Sequence, residues 1–157
     1  MYKVESSVVI NATVEEVYDW VEHPEKHHAW QQSLIESRRT EDGKVIVARK
    51  FLGRRVETHF HERDHEPNKW IRRRGQSGPG MPVKYTTEQL ISFEPVDGGT
   101  KVTIAAEVDG KGAFKMALPS LAKVTKHELE SHLGHLKELI EAHDDLHEVL
   151  AELPKHE

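Results

Sequence analysis

The hydrophobic pattern of this chain changes from a period of two to a helical period after Gly112. From residue 33 to residue 109, apolar and polar residues alternate, and short turns divide the stretch into segments. Alternation indicates β-strands, and strands joined by short turns pair in antiparallel fashion. We therefore expect an α+β fold, in which a curved antiparallel sheet of about seven strands wraps around a long C-terminal helix. The apolar stripe of that helix consists of Leu129, Leu133, Leu136, Ile140 and Leu150.

The residues that end each segment place the individual elements. Residues 2–10 alternate as a first strand, and Asn11 and Thr13 are candidate N-caps of a short helix. His23 is expected to end this helix, because the residue before proline avoids the α region. A second short helix is expected at 25–31. The remaining strands are expected at 33–40, 44–52, 55–65, 69–75, 83–94 and 100–109.

The long helix is expected to run from 120 to 152, with Pro119 at its first position, where the missing N–H of proline breaks no hydrogen bond. At about 1.5 Å per residue, such a helix would be ~50 Å long, which is more than a small sheet spans. We therefore expect either a break near Asp144 and Asp145 or a projecting end.

Composition excludes several classes of protein. The 157 residues are 36% hydrophobic and 31% charged, which predicts a single globular domain over residues 1–157. The absence of cysteine excludes disulfides, thiolate nucleophiles and zinc sites built on cysteine. The net charge of −5 argues against general nucleic-acid binding, and a basic cluster between Arg49 and Arg74 is interpreted as the solvated outer face of the sheet. No apolar run reaches the ~20 residues of a membrane span and no signal peptide is recognised, so we expect a cytoplasmic protein.

Three stretches that together span nearly the whole chain share the features of one family. Residues 8–12 and 16–20, followed by Trp30, form an opening strand and helix; residues 93–103 form a penultimate hairpin; and residues 133–141 form the end of the long helix. In these features the chain resembles the polyketide cyclase/dehydrase branch of the START-like (SRPBCC) superfamily. The resemblance implies the helix-grip fold. It does not select a function, because that family includes lipid binders, cyclases, ligand receptors and stress-response proteins.

Strand parity and the helical stripe predict the lining of a cavity between sheet and helix. Residues that share the parity of the apolar positions on each strand should face the helix. The resulting chamber combines apolar walls with a few polar groups, as small-molecule sites do. A loop at 75–82, rich in glycine and proline, is expected either to gate the chamber or simply to form a long hairpin. The predicted ligand-binding residues are Trp30, Thr58, Phe60, Tyr85, Thr87, Gln89, Ile91, Ile104, Leu129, Leu133 and Leu136.

The candidate catalytic pair consists of His132 and Glu62, which parity assigns to the same chamber. A histidine beside an acid in a dry chamber can act as general acid and base in an aldol-type cyclisation or a dehydration. Tyr85 would then donate a hydrogen bond to the developing oxyanion. The alternative interpretation is a hydrogen-bonded core histidine and a carboxylate at a solvated strand end.

Two other sets of histidines have spacings that suit a metal. His59 and His61, with His65 as a possible third member, are expected on the outer face of one strand, and His143 and His147 are one turn apart on the last helix. Neither set has an obvious third ligand, so no metal and no cofactor is predicted. A pair before Trp30 is expected on the surface. These solvated histidines are His27, His28, His59, His61, His65, His143 and His147.

Three hypotheses about function remain open at this point. The first is binding, transport or sensing of a small hydrophobic or aromatic ligand between the sheet and the helix. The second is a cyclase or dehydratase that uses His132 and Glu62 without metal or nucleotide cofactor. The third is a protein-interaction module without a small ligand, with a homodimer as one assembly considered. No nucleophile elbow, phosphate loop or dinucleotide fingerprint is present in the sequence.

Overall fold

The computed structural model describes residues 1–153, with only the backbone of Ala113, and contains a seven-stranded antiparallel sheet. The strands are β1 (Tyr2–Ile10), β2 (Leu34–Arg39), β3 (Val45–Phe51), β4 (Arg54–Glu66), β5 (Trp70–Ser77), β6 (Tyr85–Val96) and β7 (Gly99–Gly110). Their spatial order is β1-β7-β6-β5-β4-β3-β2. The helices are α1 (Val14–Glu22), a 3-10 helix (Pro24–Ala29) and α2 (Ala113–Glu152). The predicted helix-grip architecture is confirmed, with a curled sheet, a long C-terminal helix and two short helices after the first strand.

Thr13, rather than Asn11, caps the N-terminus of α1. The Thr13 hydroxyl accepts a hydrogen bond from the backbone N–H of Glu16 at 3.3 Å, which satisfies one of the free donors of the first turn. The helix ends before Pro24, which starts the 3-10 helix, in agreement with the restriction that proline places on His23. The side chains that α1 buries are Val17, Tyr18 and Val21.

The long helix α2 begins earlier than the sequence predicts, and the assignment of Pro119 to its first position is wrong. The N-cap is Gly112, with φ of +65°, and Pro119 lies inside the second turn on an exposed face. A proline there removes one hydrogen bond of the helix. The apolar contacts of the first turns offset this loss, because Leu118 is buried and Phe114 packs on Tyr85 with the ring centroids 6.1 Å apart.

The far end of α2 projects beyond the sheet without a break at Asp144 or Asp145. Ile140 is completely buried, whereas the apolar side chains beyond it are more than half exposed. The predicted stripe therefore packs only as far as Ile140, and the alternative with a projecting end is confirmed. The exposed apolar side chains of this end are Leu146, Val149 and Leu150. Among residues 1–153, no helix is long and apolar enough to cross a membrane.

A β-bulge in β4 decides which side chains reach the interior. The pairing of β4 with β5 shifts between Phe60 and Glu62, so His61 is an extra residue. Because side chains alternate along a strand, one extra residue moves those that follow to the opposite face. Gly75 lies opposite the bulge, and a Cβ there would come within 2.7 Å of the His59 carbonyl oxygen. The absence of a side chain at Gly75 is therefore what allows the strands to approach at this point.

Candidate functional site

A small cavity lies between the sheet and the elements that follow β1. It is bounded by the end of α1 and the 3-10 helix on one side and by strands β3 to β6 on the other. Its volume is about 50 Å³, which is room for roughly one or two water molecules. Apolar and aromatic side chains form much of the walls, among them Trp30, Phe60, Ile71 and Ile91. Three guanidinium groups also line the cavity, those of Arg39, Arg63 and Arg73.

Arg73 on β5 is the most unusual side chain of this cavity. Its Nε donates a hydrogen bond to Oε1 of Gln89 at 2.9 Å, and its guanidinium carbon lies 4.0 Å from the ring centroid of Phe60. No carboxylate within residues 1–153 forms an ion pair with it. Burial, reinforced by the positive charges of Arg49 and Arg63, lowers the pKa of Arg73 to about 9, so it remains protonated at neutral pH. Arg73 is thus a half-buried cation balanced only by an aromatic face and a neutral amide.

Arg49 on β3 is a second arginine on the inner face. Its guanidinium donates to Oε1 of Gln31, while its Nη1 is shielded from solvent and has no acceptor in the described part of the chain. Burial lowers the pKa of Arg49, and the negative charge of Glu128 acts in the opposite direction. The interior therefore holds a positive potential and an unsatisfied donor.

The sequence-based interpretation of these two arginines as outer-face residues is wrong. Arg49 continues the buried row that begins with Val45 and Val47, and Arg73 lies two residues after buried Ile71. Strand parity alone indicated that both side chains face the interior. It was outweighed by the general expectation that arginines on strands point to solvent.

An ion-pair network lies at the rim of the cavity. Glu22, the last residue of α1, contacts Arg63 of β4 and accepts a hydrogen bond from Nη2 of Arg39 at 3.2 Å. The Tyr18 hydroxyl also donates to Glu22, at 3.4 Å. The Glu22 side chain is only 17% exposed. A carboxylate of the protein thus neutralises two rim arginines, but it leaves Arg73 without a partner.

His27 is buried, which corrects the expectation that it lies on the surface. Its Nε2 donates to the Val21 carbonyl at 2.7 Å, so the ring is in the neutral Nε2–H form. It packs edge-on against Trp30, with ring centroids 5.6 Å apart. Burial lowers the pKa of His27 to about 3, and the nearby arginines act in the same direction. His27 therefore orients Trp30 and the 3-10 helix rather than exchanging protons with solvent.

His132 on α2 is buried as predicted, but its acidic neighbour is Glu128. The Nε2 atom of His132 lies 3.3 Å from the Ser33 hydroxyl and 3.5 Å from the Glu128 carboxylate. Ser33 also donates to Glu128. Burial and the positive charge of Arg49 lower the pKa of His132 to about 3. Since Ser33 and Glu128 meet the same ring nitrogen, this cluster lacks the second-nitrogen contact with which an acid orients a catalytic histidine.

Glu62, the other predicted catalytic residue, lies on the outer face of the sheet. Its side chain is 61% exposed, and its carboxylate lies 3.7 Å from Nη1 of Arg74. The physical reason is the β4 bulge, which reverses the parity after Phe60 and turns Arg63 inward in place of Glu62. The predicted pairing of Glu62 with His132 is therefore not formed.

The other predicted lining residues lie on the inner side and form two groups. In the polar group, the Tyr85 hydroxyl donates to the Glu57 carbonyl at 3.1 Å and lies 2.6 Å from Oγ1 of Thr58. Thr87 is buried and donates to the Glu107 carbonyl at 3.0 Å. These hydroxyls are occupied within the protein. The apolar group, buried or partly buried in the core, consists of Trp30, Phe60, Ile91, Ile104, Leu129, Leu133 and Leu136.

A larger and more open pocket of about 520 Å³ lies where β5 ends and β6 begins. The predicted loop is displaced slightly, because β5 continues to Ser77 and the connection covers residues 78–84. This connection borders the pocket together with the end of β7. Tyr85 lines this pocket and also lies on the inner face of β6, together with Thr87. It therefore lies between the open pocket and the interior.

The sequence matches the family model described as polyketide cyclase / dehydrase and lipid transport over residues 1–141. The chain belongs to this family. The resemblance noted from the sequence is thereby confirmed over almost the whole of the described chain. No curated protein matches the sequence.

Solved structures show the same fold as this polyketide cyclase/dehydrase-family protein at low sequence identity. The Zhui aromatase/cyclase from Streptomyces sp. R1128 has a TM-score of 0.76 and 15% identity, covering 89% of this chain and 93% of its own. A conserved protein from Geobacillus kaustophilus has a TM-score of 0.74 and 17% identity, covering 90% and 96%. The di-domain ARO/CYC BexL from the BE-7585A biosynthetic pathway has a TM-score of 0.65 and 18% identity, covering 90% and 47%. At these identities the similarity concerns the fold.

Proposed function

We propose that this protein binds a small molecule that combines an apolar or aromatic body with an anionic oxygen group. The ligand lies between the sheet and the helices that follow β1, with its anionic group at Arg73. The observation that carries the proposal is the half-buried guanidinium of Arg73, which faces the cavity and has no carboxylate partner among residues 1–153. Desolvating a charged group costs several kcal/mol when no counter-charge is present. A ligand that supplies the counter-charge recovers this free energy on binding.

The walls of the cavity supply the apolar part of the recognition. Phe60 and Trp30 present aromatic surfaces, and Ile71 and Ile91 present aliphatic ones. Trp30 also has an Nε1 donor that is buried without an acceptor in the described residues. Apolar walls with a few fixed donors favour a ligand that is largely hydrophobic but carries polar oxygens.

The ligand needs more room than the cavity of about 50 Å³ provides. Small-molecule sites commonly measure about 300 Å³ or more, so side chains must move on binding. The rim ion pair of Glu22 with Arg39 is suited to this, because the Arg39 side chain is 45% exposed and ion pairs near the surface contribute only about 0–1 kcal/mol. The pair of Glu22 with Arg63 costs more to break, because both side chains are less than a quarter exposed. A ligand carboxylate would moreover replace the Glu22 carboxylate as a partner of these arginines.

Paired probes that differ only in charge test this proposal. We expect naphthoate to bind more tightly than its neutral analogue naphthamide, by about tenfold or more, because only the carboxylate compensates the half-buried guanidinium of Arg73. Quenching of tryptophan fluorescence, to which buried Trp30 contributes, would report the binding. Equal affinity for the two probes, or no saturable binding of either, would contradict an anion-binding cavity.

An aromatase/cyclase-type reaction is the second candidate, favoured by the buried cluster of Ser33, Glu128 and His132. The family description and two of the structural neighbours name this chemistry. However, the pKa of His132 is about 3, far from the neutral range in which a general base is most effective. The structure therefore supports ligand binding more strongly than catalysis by His132.

The catalytic candidate predicts a loss of turnover in His132→Ala. If His132 accepts a proton from a reactive poly-β-ketone, the variant should lose about 10²-fold or more in kcat, with little change in KM. Product formation by liquid chromatography measures this. The exposed residue His127 on the same helix provides the control variant His127→Ala. Unchanged turnover in His132→Ala would remove this residue from the mechanism.

A further inference from the structure

A second candidate site lies outside the cavity, where the first turn of α1 meets the projecting part of α2. Glu16 of α1 lies beside His143 and Asp144 of α2, and one possible ligand atom from each residue lies within 4.8 Å of the other two. We propose that these three side chains bind a divalent transition-metal ion of the zinc type. The site is independent of the proposed ligand cavity.

The donor set and its spacing suit such an ion. Zinc is bound by histidine nitrogens and carboxylate oxygens at about 2.0–2.2 Å, which places two ligands of a tetrahedral ion roughly 3.4 Å apart. The Nδ1 atom of His143 lies 3.6 Å from Oδ1 of Asp144. Small movements of exposed or half-buried side chains would bring Glu16 to the same spacing. One coordination position would remain for water or another ligand.

The carboxylates are brought together without a compensating cation from the protein. The Glu16 and Asp144 carboxylates each place an oxygen within 4.8 Å of the other, although they come from different helices. Within residues 1–153, neither of them forms an ion pair with a lysine or arginine. Two carboxylates this close repel each other unless a proton or a cation supplies positive charge between them. A divalent ion provides this charge, and His143 supplies a neutral nitrogen ligand next to it.

The histidine is also held in place by its surroundings. The ring of Trp20 from α1 packs edge-on against His143 at 5.9 Å, and the His147 ring lies parallel to it at 6.4 Å. The sequence showed the spacing of His143 and His147 but no ligand from another element. Glu16 is 127 residues away from His143, and only the packing of α1 on α2 brings it to the site.

A bound ion would connect α1 to the part of α2 that otherwise projects. The opposite face of α1 carries Val21 and Glu22, which border the ligand cavity. Ligands that bind only the folded state raise the unfolding temperature, and the stabilisation grows with the logarithm of their concentration relative to Kd. We therefore expect Zn²⁺ to raise the Tm of the full-length protein in a concentration-dependent way.

The test is a Zn²⁺ titration of the full-length, tag-free protein against a chromophoric chelator, with Co²⁺ absorption spectra to report the coordination. Glu16→Gln and His143→Ala should each weaken binding by about tenfold or more, because each removes a ligand. The control variants are Glu15→Gln and His127→Ala, which change the same residue types at exposed positions. They should bind like the wild type.

Three results would overturn the proposal. The first is the absence of saturable binding at one ion per chain. The second is equal affinity of Glu16→Gln and Glu15→Gln, which would indicate adventitious binding to other histidines of the twelve in the chain. The third is a Co²⁺ spectrum of the wild type that does not change in His143→Ala. The metal-free Tm of each variant verifies that the fold is intact.

Discussion

Lowering the pH from 7 to 4.5 is expected to decrease the free energy of unfolding by about 5 kcal/mol, through His27 and His132 alone. Both histidines are buried, and burial lowers the pKa of each to about 3 from its ordinary value of 6.5. Between these two values the unfolded chain takes up a proton at each position, whereas the folded protein does not. The stabilisation is therefore complete above about pH 6.5 and is lost as the pH falls towards 3.

The size of this effect follows from the pKa shifts. Each histidine contributes up to about 1.36 kcal/mol per pH unit over the interval, which gives about 2.5 kcal/mol each at pH 4.5. Small proteins have total stabilities of about 5–15 kcal/mol, so partial acid unfolding is expected. Glu16 acts in the opposite direction, because burial and Asp144 raise its pKa to about 7. Its protonation on acidification relieves repulsion, but Glu16 is partly exposed and the effect is correspondingly smaller.

Urea denaturation at a series of pH values measures this dependence. We expect His27→Gln and His132→Gln each to remove about half of the slope between pH 6.5 and 4.5, since glutamine has no proton to gain. The control is His28→Gln, because His28 is exposed and loses little hydration on folding. A slope that is the same in wild type and in His27→Gln would show that this histidine does not remain neutral in the folded protein.

Most of the architecture was predictable because it depends on local patterns. The alternation of apolar residues and the short turns identified all seven strands, and the stripe that includes Leu133 and Leu136 identified the long helix. The start of α2 was misjudged because proline at a first helical position is a statistical preference. At Pro119 the burial of Leu118 and the packing of Phe114 on Tyr85 have the greater effect.

The candidate site was less predictable, for two different physical reasons. Glu62 was assigned to the interior by parity, and the bulge at His61 reverses this parity. A bulge is a property of the pairing between β4 and β5, so the pattern of residues within β4 alone does not predict it. The parity of Arg73, in contrast, correctly placed its side chain on the inner face. Only the general preference of arginine for solvent argued against that position. The opposite outcomes for Arg73 and Glu62 show that a charged residue with inward parity is assigned to the interior only when the register of its strand is known.

Replacing Arg73 by methionine is expected to separate ligand binding from stability. Arg73→Met should weaken naphthoate binding by at least about thirtyfold, since loss of one partner of a buried charge pair costs about 2–5 kcal/mol. The free energy of unfolding should stay within about 1 kcal/mol of the wild type or rise, because the variant no longer holds a half-buried cation without a counter-charge. Methionine can keep the contact with the Phe60 ring through its thioether.

The neighbouring residue Arg74 provides the matched control. It has the same side chain but faces outward, where it forms ion pairs with Glu62 and Glu88. Arg74→Met should therefore leave naphthoate binding unchanged. Isothermal titration calorimetry measures the affinities and urea denaturation the stabilities. If Arg73→Met binds naphthoate like the wild type, the cavity is not the anion site. If it instead loses more than about 2 kcal/mol of stability, the guanidinium serves the fold rather than a ligand, because the hydrogen bond to Gln89 and the contact with Phe60 would then outweigh its desolvation.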